Sequence, residues 1–143
     1  MIRKEVIVDT NALLIPGEFG VDIFEELARL GYVHIIVPRM VLTELDRLRQ
    51  RSGLKGKEKT AANVGYSLVL KYAHAEPDRF NVTINEEEGG GEGNIDTDEW
   101  IVMLALKKKA AVLTNDELLM RKLSKAGIAT VYLRGKSRLE ESD

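Results

Sequence analysis

The stretch that most constrains this chain is Val6-Ile7-Val8-Asp9-Thr10-Asn11, an apolar, β-branched run that stops on a carboxylate. A short apolar run so near the start of the chain suits a central strand of a parallel sheet, buried on both faces. In open α/β sheets, ligands bind in the crevice beyond the carboxyl ends of the strands. Asp9, Thr10 and Asn11 would put three oxygen-bearing side chains at the mouth of that crevice. Further acids converging on Asp9 make it a metal site; without them it is a turn.

The rest of the chain repeats the strand-helix theme. Phe19, Ile23, Phe24, Leu27 and Leu30 recur at helical spacing after Pro16-Gly17, which predicts one helix ended by Gly31. His34-Ile35-Ile36-Val37 reads as the second strand. Pro38 fits the first turn of the next helix, whose apolar Val41, Leu42, Leu45 and Leu48 leave Glu44 on another side. Gln50 to Lys59 is polar, basic and broken by Gly53 and Gly56, a loop or a frayed helix start. Thr60 to Ala75 is helical again and Pro77 stops it; Gly65 either weakens this helix or admits a close neighbour. Phe80 to Ile84 offers a third strand. Residues 85–95, rich in glutamate and glycine, read as a flexible loop beside the crevice, without the strand-turn-helix context of a nucleotide-binding glycine loop.

Asp96 and Glu99 have capping-box spacing ahead of a helix with Ile101, Leu104 and Ala105 inside and three lysines at its end. Ala111-Val112-Leu113 is the fourth strand, running into Thr114-Asn115-Asp116. A helix from Asp116 to Lys125, stopped by Gly127, leads to a fifth strand over Ile128 to Leu133, and residues 134–143 form a charged C-terminal tail. This alternation predicts one α/β domain, an α/β/α sandwich with a mostly parallel sheet of about five strands and a core over residues 5–133.

Composition narrows the chemistry. At 143 residues the chain fits one domain, and its 44% hydrophobic and 31% charged residues describe a globular protein. The absence of cysteine excludes a disulfide scaffold, a thiol nucleophile and thiolate metal sites, and two histidines argue against an imidazole-rich zinc site. No apolar stretch has membrane-spanning length, so a soluble cytoplasmic protein without a membrane partner is expected. The formal charge of -2 leaves room for local basic patches, and Arg47, Arg49, Arg51, Lys55, Lys57 and Lys59 form the best phosphate track. Such contacts position a nucleic acid without choosing its sequence.

Four acids fall at the end of the sheet where crossover helices begin: Asp9, Glu44, Asp98 and Asp116. A reversal of strand order between the first and fourth strands would bring Asp9 and Asp116 face to face. Carboxylates packed together repel, so raised pKa values or bound cations are expected, and oxygen-only ligands suit Mg2+ or Mn2+. Thr10, Asn11 and Thr114 could orient water or phosphate through hydrogen bonds. The bland alternatives are a turn at Asp9, a surface glutamate at Glu44, and dipole compensation at Asp98 and Asp116.

These residues resemble the PIN-domain nuclease family. Its members carry a DTN-like sequence after the first strand, matched by Asp9-Thr10-Asn11, and an acid in the helix after the second strand, matched by Glu44 in Leu42-Thr43-Glu44-Leu45. An acid opens a later helix, here Asp98 in Thr97-Asp98-Glu99-Trp100-Ile101, and a TND-like sequence follows the fourth strand, here Thr114-Asn115-Asp116. The resemblance runs from Val6 to Leu133 and implies an α/β/α sandwich and a Mg2+- or Mn2+-dependent endoribonuclease. It implies Asp9, Glu44, Asp98 and Asp116 as metal ligands, supported by Asn11 and Thr114. The glycine-rich insertion before Asp98 departs from the pattern and leaves Asp96 and Glu99 as substitutes.

Within the family, the Val37 to Asp46 stretch and Tyr132-Leu133-Arg134 look most like small archaeal members related to ribosomal RNA-processing endonucleases. That likeness implies single-stranded or looped RNA as substrate, cut by a metal-activated water, with preribosomal proteins as partners and a homodimer as an option. The toxin branch of VapBC-like pairs, with a cognate antitoxin, is the close rival. A catalytically silent RNA-binding protein on the same fold is the non-enzyme alternative. A phosphoacceptor receiver would need a lysine beyond a later strand, where Thr114-Asn115-Asp116 stands, and a haloacid-dehalogenase-like phosphatase would need an aspartate where Asn11 stands. His34 and His74 fit packing better than base catalysis, and Trp100 fits the core or a crevice wall.

Overall fold

A computed structural model describes residues 4–51, 56–76, 78–87 and 95–142. Its elements run β1 (Lys4–Val8), a 3-10 turn (Asn11–Leu14), α1 (Ile15–Phe19), α2 (Ile23–Arg29), β2 (Tyr32–Pro38), α3 (Arg39–Gln50) and α4 (Gly56–His74). There follow β3 (Asn81–Asn85), α5 (Thr97–Lys108), β4 (Ala111–Leu113), α6 (Glu117–Lys125), β5 (Thr130–Arg134) and β6 (Arg138–Ser142). They build one six-stranded sheet in the order β3-β2-β1-β4-β5-β6, flanked by helices. β1 pairs in parallel with β2 on one side and β4 on the other, and only β6 runs antiparallel.

The two central strands are central because their side chains leave no face for water. Val6, Ile7 and Val8 are fully buried, as are Val112 and Leu113 of β4, the continuous apolar pattern that coverage on both faces demands. Strand order reverses about this pair: β1 leads outward to β2 and β3, and β4 leads the other way to β5. The carboxyl ends of β1 and β4 therefore flank the switch point, where the flanking loops diverge and leave a crevice.

The segment that leaves β1 is held by a close helix contact. A Cβ built on Gly65 of α4 would lie 2.0 Å from the Leu13 carbonyl oxygen, and one on Gly17 of α1 would lie 2.4 Å from the Ala61 Cα. Of the two readings of Gly65, close approach is the one realised; α4 lies flush on the turn that carries Asn11.

Several expectations are corrected. The single helix expected after Pro16 is two: Gly20 takes a left-handed φ of 69° that ends α1, and Asp22 caps α2 by accepting from the Phe24 and Glu25 backbone N–H groups. Pro16 lies in the first turn of α1 instead of punctuating the chain, and Phe19 is left exposed. Pro38 closes β2 and precedes α3 in extended conformation. The polar segment after Gln50 enters a helix by Gly56, earlier than Thr60.

The sheet has a sixth strand within the expected charged tail. Gly135, at φ 65°, turns the chain back, and Leu139 becomes fully buried. The Leu139 backbone is latched to α2, its N–H donating to Glu26 Oε1 at 3.0 Å and its carbonyl accepting from Arg29 Nη2 at 2.9 Å. One inward leucine among charges was too little alternation to read as a strand, yet charges on an edge strand discourage further pairing. Pro77 and most of the glycine-rich loop, residues 88–94, lie outside the described residues. Among the described residues no helix is long and apolar enough to cross a membrane.

The close approach at Gly65 is testable. Gly65→Ala gains helix propensity, but its methyl meets a backbone carbonyl that cannot move alone, so urea unfolding should show a net loss of about 2 kcal/mol or more. Unchanged or increased stability would mean that α4 does not sit flush on the turn.

Candidate active site

Asp9 is the first residue past β1, and its backbone N–H still donates to the Leu113 carbonyl at 3.0 Å, which fixes it against the end of β4. The residue is only 5% exposed. Oδ1 accepts from the Thr10 N–H at 2.8 Å and Oδ2 from the Thr114 hydroxyl at 2.8 Å. Thr114, fully buried, spends its single proton on Asp9 and accepts from the Asp116 N–H at 3.0 Å. One hydroxyl thus sets both the carboxylate after β1 and the backbone that presents the acid after β4.

Asn11 and Asn115 complete the stitching. Asn11 Oδ1 accepts from the Asn115 N–H at 3.3 Å, and Asn115 Oδ1 accepts from the Leu133 N–H at 2.8 Å, tying the β4 exit to β5. Asn115 was not singled out from the sequence, although its place between Thr114 and Asp116 was the available signal.

Glu44 faces the same space from α3. Its Oε2 accepts from the Thr10 hydroxyl at 3.0 Å, and its Oε1 accepts a close hydrogen bond from the Thr97 hydroxyl. The residue after Asp9 and the residue before Asp98 are therefore both anchored on Glu44. Thr97 is a second residue that sequence reasoning passed over; only its adjacency to Asp98 pointed to it. Asp96 caps α5 by accepting from the Glu99 N–H at 2.8 Å, as the capping-box spacing predicts, which sets Asp98 in the first turn.

Asp9, Glu44, Asp96 and Asp98 line one open cavity of about 460 Å3, with Met40 and Ile95 as its apolar wall. Asp116 stands at its side as the cap of α6, with Oδ1 accepting from the Leu118 and Leu119 N–H groups at 2.9 and 3.1 Å. Electrostatics records the crowding. Burial pushes the Asp9 carboxyl up to about 6 against the pull of the Thr114 and Thr10 hydrogen bonds, and the Asp98 and Asp116 charges push further. Asp98 is raised too, first by burial and then by Asp116, with Lys122 opposing and Asp96 and Glu44 adding.

Asp9, Glu44 and Asp98 thus share a crevice, with Asp116 close enough for its charge to reach Asp9 and Asp98, but among the described residues no three acidic or histidine side chains converge closely enough to enclose an ion. The committed oxygens explain the spacing: both of Glu44 hold threonine hydroxyls and one of Asp116 caps a helix. All remaining donors are hard oxygens, a set that fits Mg2+ or Mn2+.

The basic candidates divide. Arg47 lines a cleft beside Glu44, and Arg51 lines a further one with Arg47. Arg49 turns elsewhere, bonded to Asp46 at 2.7 Å with its guanidinium 3.9 Å from the Tyr66 ring centre. Lys57 and Lys59 are exposed on the first turns of α4, and Lys55 lies outside the described residues. His34 binds Glu5 and Thr83 from within the sheet, and Trp100 is buried in the core.

The sequence pattern of the family described as "PIN like domain" matches residues 6–136. The chain belongs to this family. Ribonuclease VapC9 of Archaeoglobus fulgidus is 29% identical to this PIN-like domain over 133 residues, covering 93% of the chain and 85% of that protein. The solved structure of the PIN domain endonuclease Utp24 superposes with a TM-score of 0.65 at 23% identity, over 96% of this chain and 90% of that one. A domain of a functionally unknown protein from Methanocaldococcus jannaschii superposes with a TM-score of 0.64 at 22% identity, over 92% of each chain. Both structural likenesses speak to the PIN-like fold. Members of the PIN nuclease superfamily are generally implicated in RNA cleavage.

The raised pKa of Asp9 carries a sign. The folded state binds its proton more tightly than the unfolded chain, so its contribution to stability is fully present below about pH 4 and is lost as pH rises through about 6. In EDTA, wild-type stability should lose about 3 kcal/mol of this contribution across that window, and Asp9→Asn should flatten the fall. Urea midpoints measured across the window check this; identical slopes in the two proteins would contradict it.

Proposed function

We propose that this PIN-like domain is a divalent-metal-dependent endoribonuclease that hydrolyses phosphodiester bonds of single-stranded or looped RNA. The observation that carries the reading is Asp9, a nearly buried carboxyl held by two hydrogen bonds in a crevice with Glu44 and Asp98, within the field of Asp116. Assembling those charges costs stability in the free protein, and a cation is the simplest partner to offset the cost. Mg2+ or Mn2+, held by Asp9, Glu44, Asp98 and Asp116, would supply positive charge against the phosphoryl oxygens and lower the pKa of water.

The chain's own residues do the placing. Thr114 and the Thr10 N–H hold Asp9 in one rotamer, and Thr10 and Thr97 hold Glu44 across from it. Asp116 commits Oδ1 to the cap of α6, which leaves Oδ2 as the oxygen it could offer a cation. Asn11, bound to the Asn115 N–H, keeps its amide protons for a phosphate or a water at the mouth. Asp9, with its pKa pushed up to about 6, is ionised in neutral solution and can take up a proton in mild acid.

The relative named as a ribonuclease supports RNA as the substrate class. The resemblance of Val37 to Asp46 and of Tyr132-Leu133-Arg134 to archaeal ribosomal RNA-processing members supports a cytoplasmic role in RNA maturation with preribosomal partners. A second reading, a toxin restrained by an antitoxin, is favoured by the name of that same relative, VapC9.

Cleavage of a mixed RNA pool in Mn2+ tests the common core of both readings. Wild type should cut and EDTA should abolish cutting. Asp9→Asn and Asp98→Asn should each lose about 100-fold or more, and Thr114→Val about 10- to 100-fold through misplacement of Asp9. Folded wild-type protein that cuts no RNA would turn the reading to the silent RNA-binding alternative, and cutting unaffected by both aspartate changes would remove the crevice from the chemistry.

A further inference from the structure

The acidic crevice does not end at Glu44. A second cavity of about 370 Å3 continues from it, sharing Met40, Glu44 and Thr97, and its far side is formed by Arg39, Arg47 and Glu87. On α3, Met40, Glu44 and Arg47 fall along one stripe at helical spacing, so a chain laid along that stripe passes from the acids to an arginine, with Arg51 following in extended backbone just past the helix. The glutamates that follow β3 pair with cations in and beside this trough. Arg39 grips Glu86 with a bidentate fork, Nε to Oε2 at 3.1 Å and Nη2 to Oε1 at 2.5 Å, and Lys107 at the end of α5 donates to Glu87 Oε2 at 3.1 Å. The segment after β3 is thus pinned to α3 on one side and α5 on the other.

We propose that Arg39, Arg47 and Lys107 form a backbone-phosphate subsite for single-stranded RNA, and that Glu86 and Glu87 occupy it in the free protein as phosphate stand-ins which the strand displaces. The ligand follows from the ribonuclease reading; the displaceable acids follow from the geometry. A guanidinium fork that donates to two carboxylate oxygens donates equally well to two phosphate oxygens. The exchange is cheap because Arg39 and Glu86 are 46% and 67% exposed, and Lys107 and Glu87 are 66% and 43% exposed, so water already screens both pairs. It is also selective. A single phosphate gains little over the carboxylate it replaces, whereas a strand that also reaches Arg47 and the cation-loaded crevice gains several contacts at once.

Binding of a fluorescent single-stranded oligouridine to the wild-type chain in EDTA, where it is not cut, followed by anisotropy, separates this subsite from cleavage. Glu86→Gln with Glu87→Gln should tighten binding about three- to tenfold. Arg39→Gln should weaken it at least about threefold and lower the slope of log affinity against log salt by about 0.7. Glu25→Gln with Glu140→Gln, which removes the same charge from ion pairs with Arg79 and Arg134, should change affinity less than twofold. Unchanged or weaker binding in the Glu86/Glu87 variant, or equal tightening in the control, would overturn the proposal. Shifts in binding as stated, in a protein that never cuts RNA, would keep the subsite and remove the enzyme reading.

Discussion

The hydrogen bond from Thr114 to Asp9 joins the two halves of this structure. It bridges the ends of β1 and β4, the neighbours about which strand order reverses, and it does so inside a nearly dry environment where a carboxylate is costly. Everything nearby serves that contact. The apolar strands fix the height of Asp9, the Leu113 carbonyl fixes its register, and α4 presses the 3-10 turn against it through Gly65. Thr114 in turn holds the Asp116 backbone and so the start of α6.

A site of this kind trades stability for chemistry. Burial raises the pKa of Asp9 and of Asp98, and each feels the charge of Asp116. The hydrogen bonds from Thr10 and Thr114 offset part of that cost without removing it. Groups whose surroundings disfavour their charged form are those that a cation can most improve.

Much of the fold was legible because its signals are periodic. The apolar run at Val6 to Val8, the helical spacing in α5 and the polar sequences at both strand ends place β1, β4 and the switch point without further help. The break after Phe19 was missed because the hydrophobic spacing continues across it, while the Gly20 turn and the Asp22 cap act through backbone geometry. β6 was missed because a single buried leucine, held from α2, makes a strand only once the sheet exists. Asp9, Asp98 and Asp116 were legible as acids after strands or at helix starts, and Glu44 as an acid within the helix that follows β2. Thr97 and Asn115 were not, since a threonine hydroxyl or an asparagine amide gains meaning only when the fold brings its partner within 3 Å or so.

The claim on which the functional reading rests is that the crevice about Asp9 is a cation site. Calorimetric titration of Mn2+ at pH 6, repeated in buffers of different ionisation enthalpy and again at pH 8, addresses it directly. Saturable binding that releases protons at pH 6, releases fewer at pH 8 and is lost in Asp9→Asn is the predicted result, because the cation must displace a proton from a carboxyl whose pKa lies at about 6. Absence of saturable binding, or equal binding and equal proton release in Asp9→Asn, would contradict it.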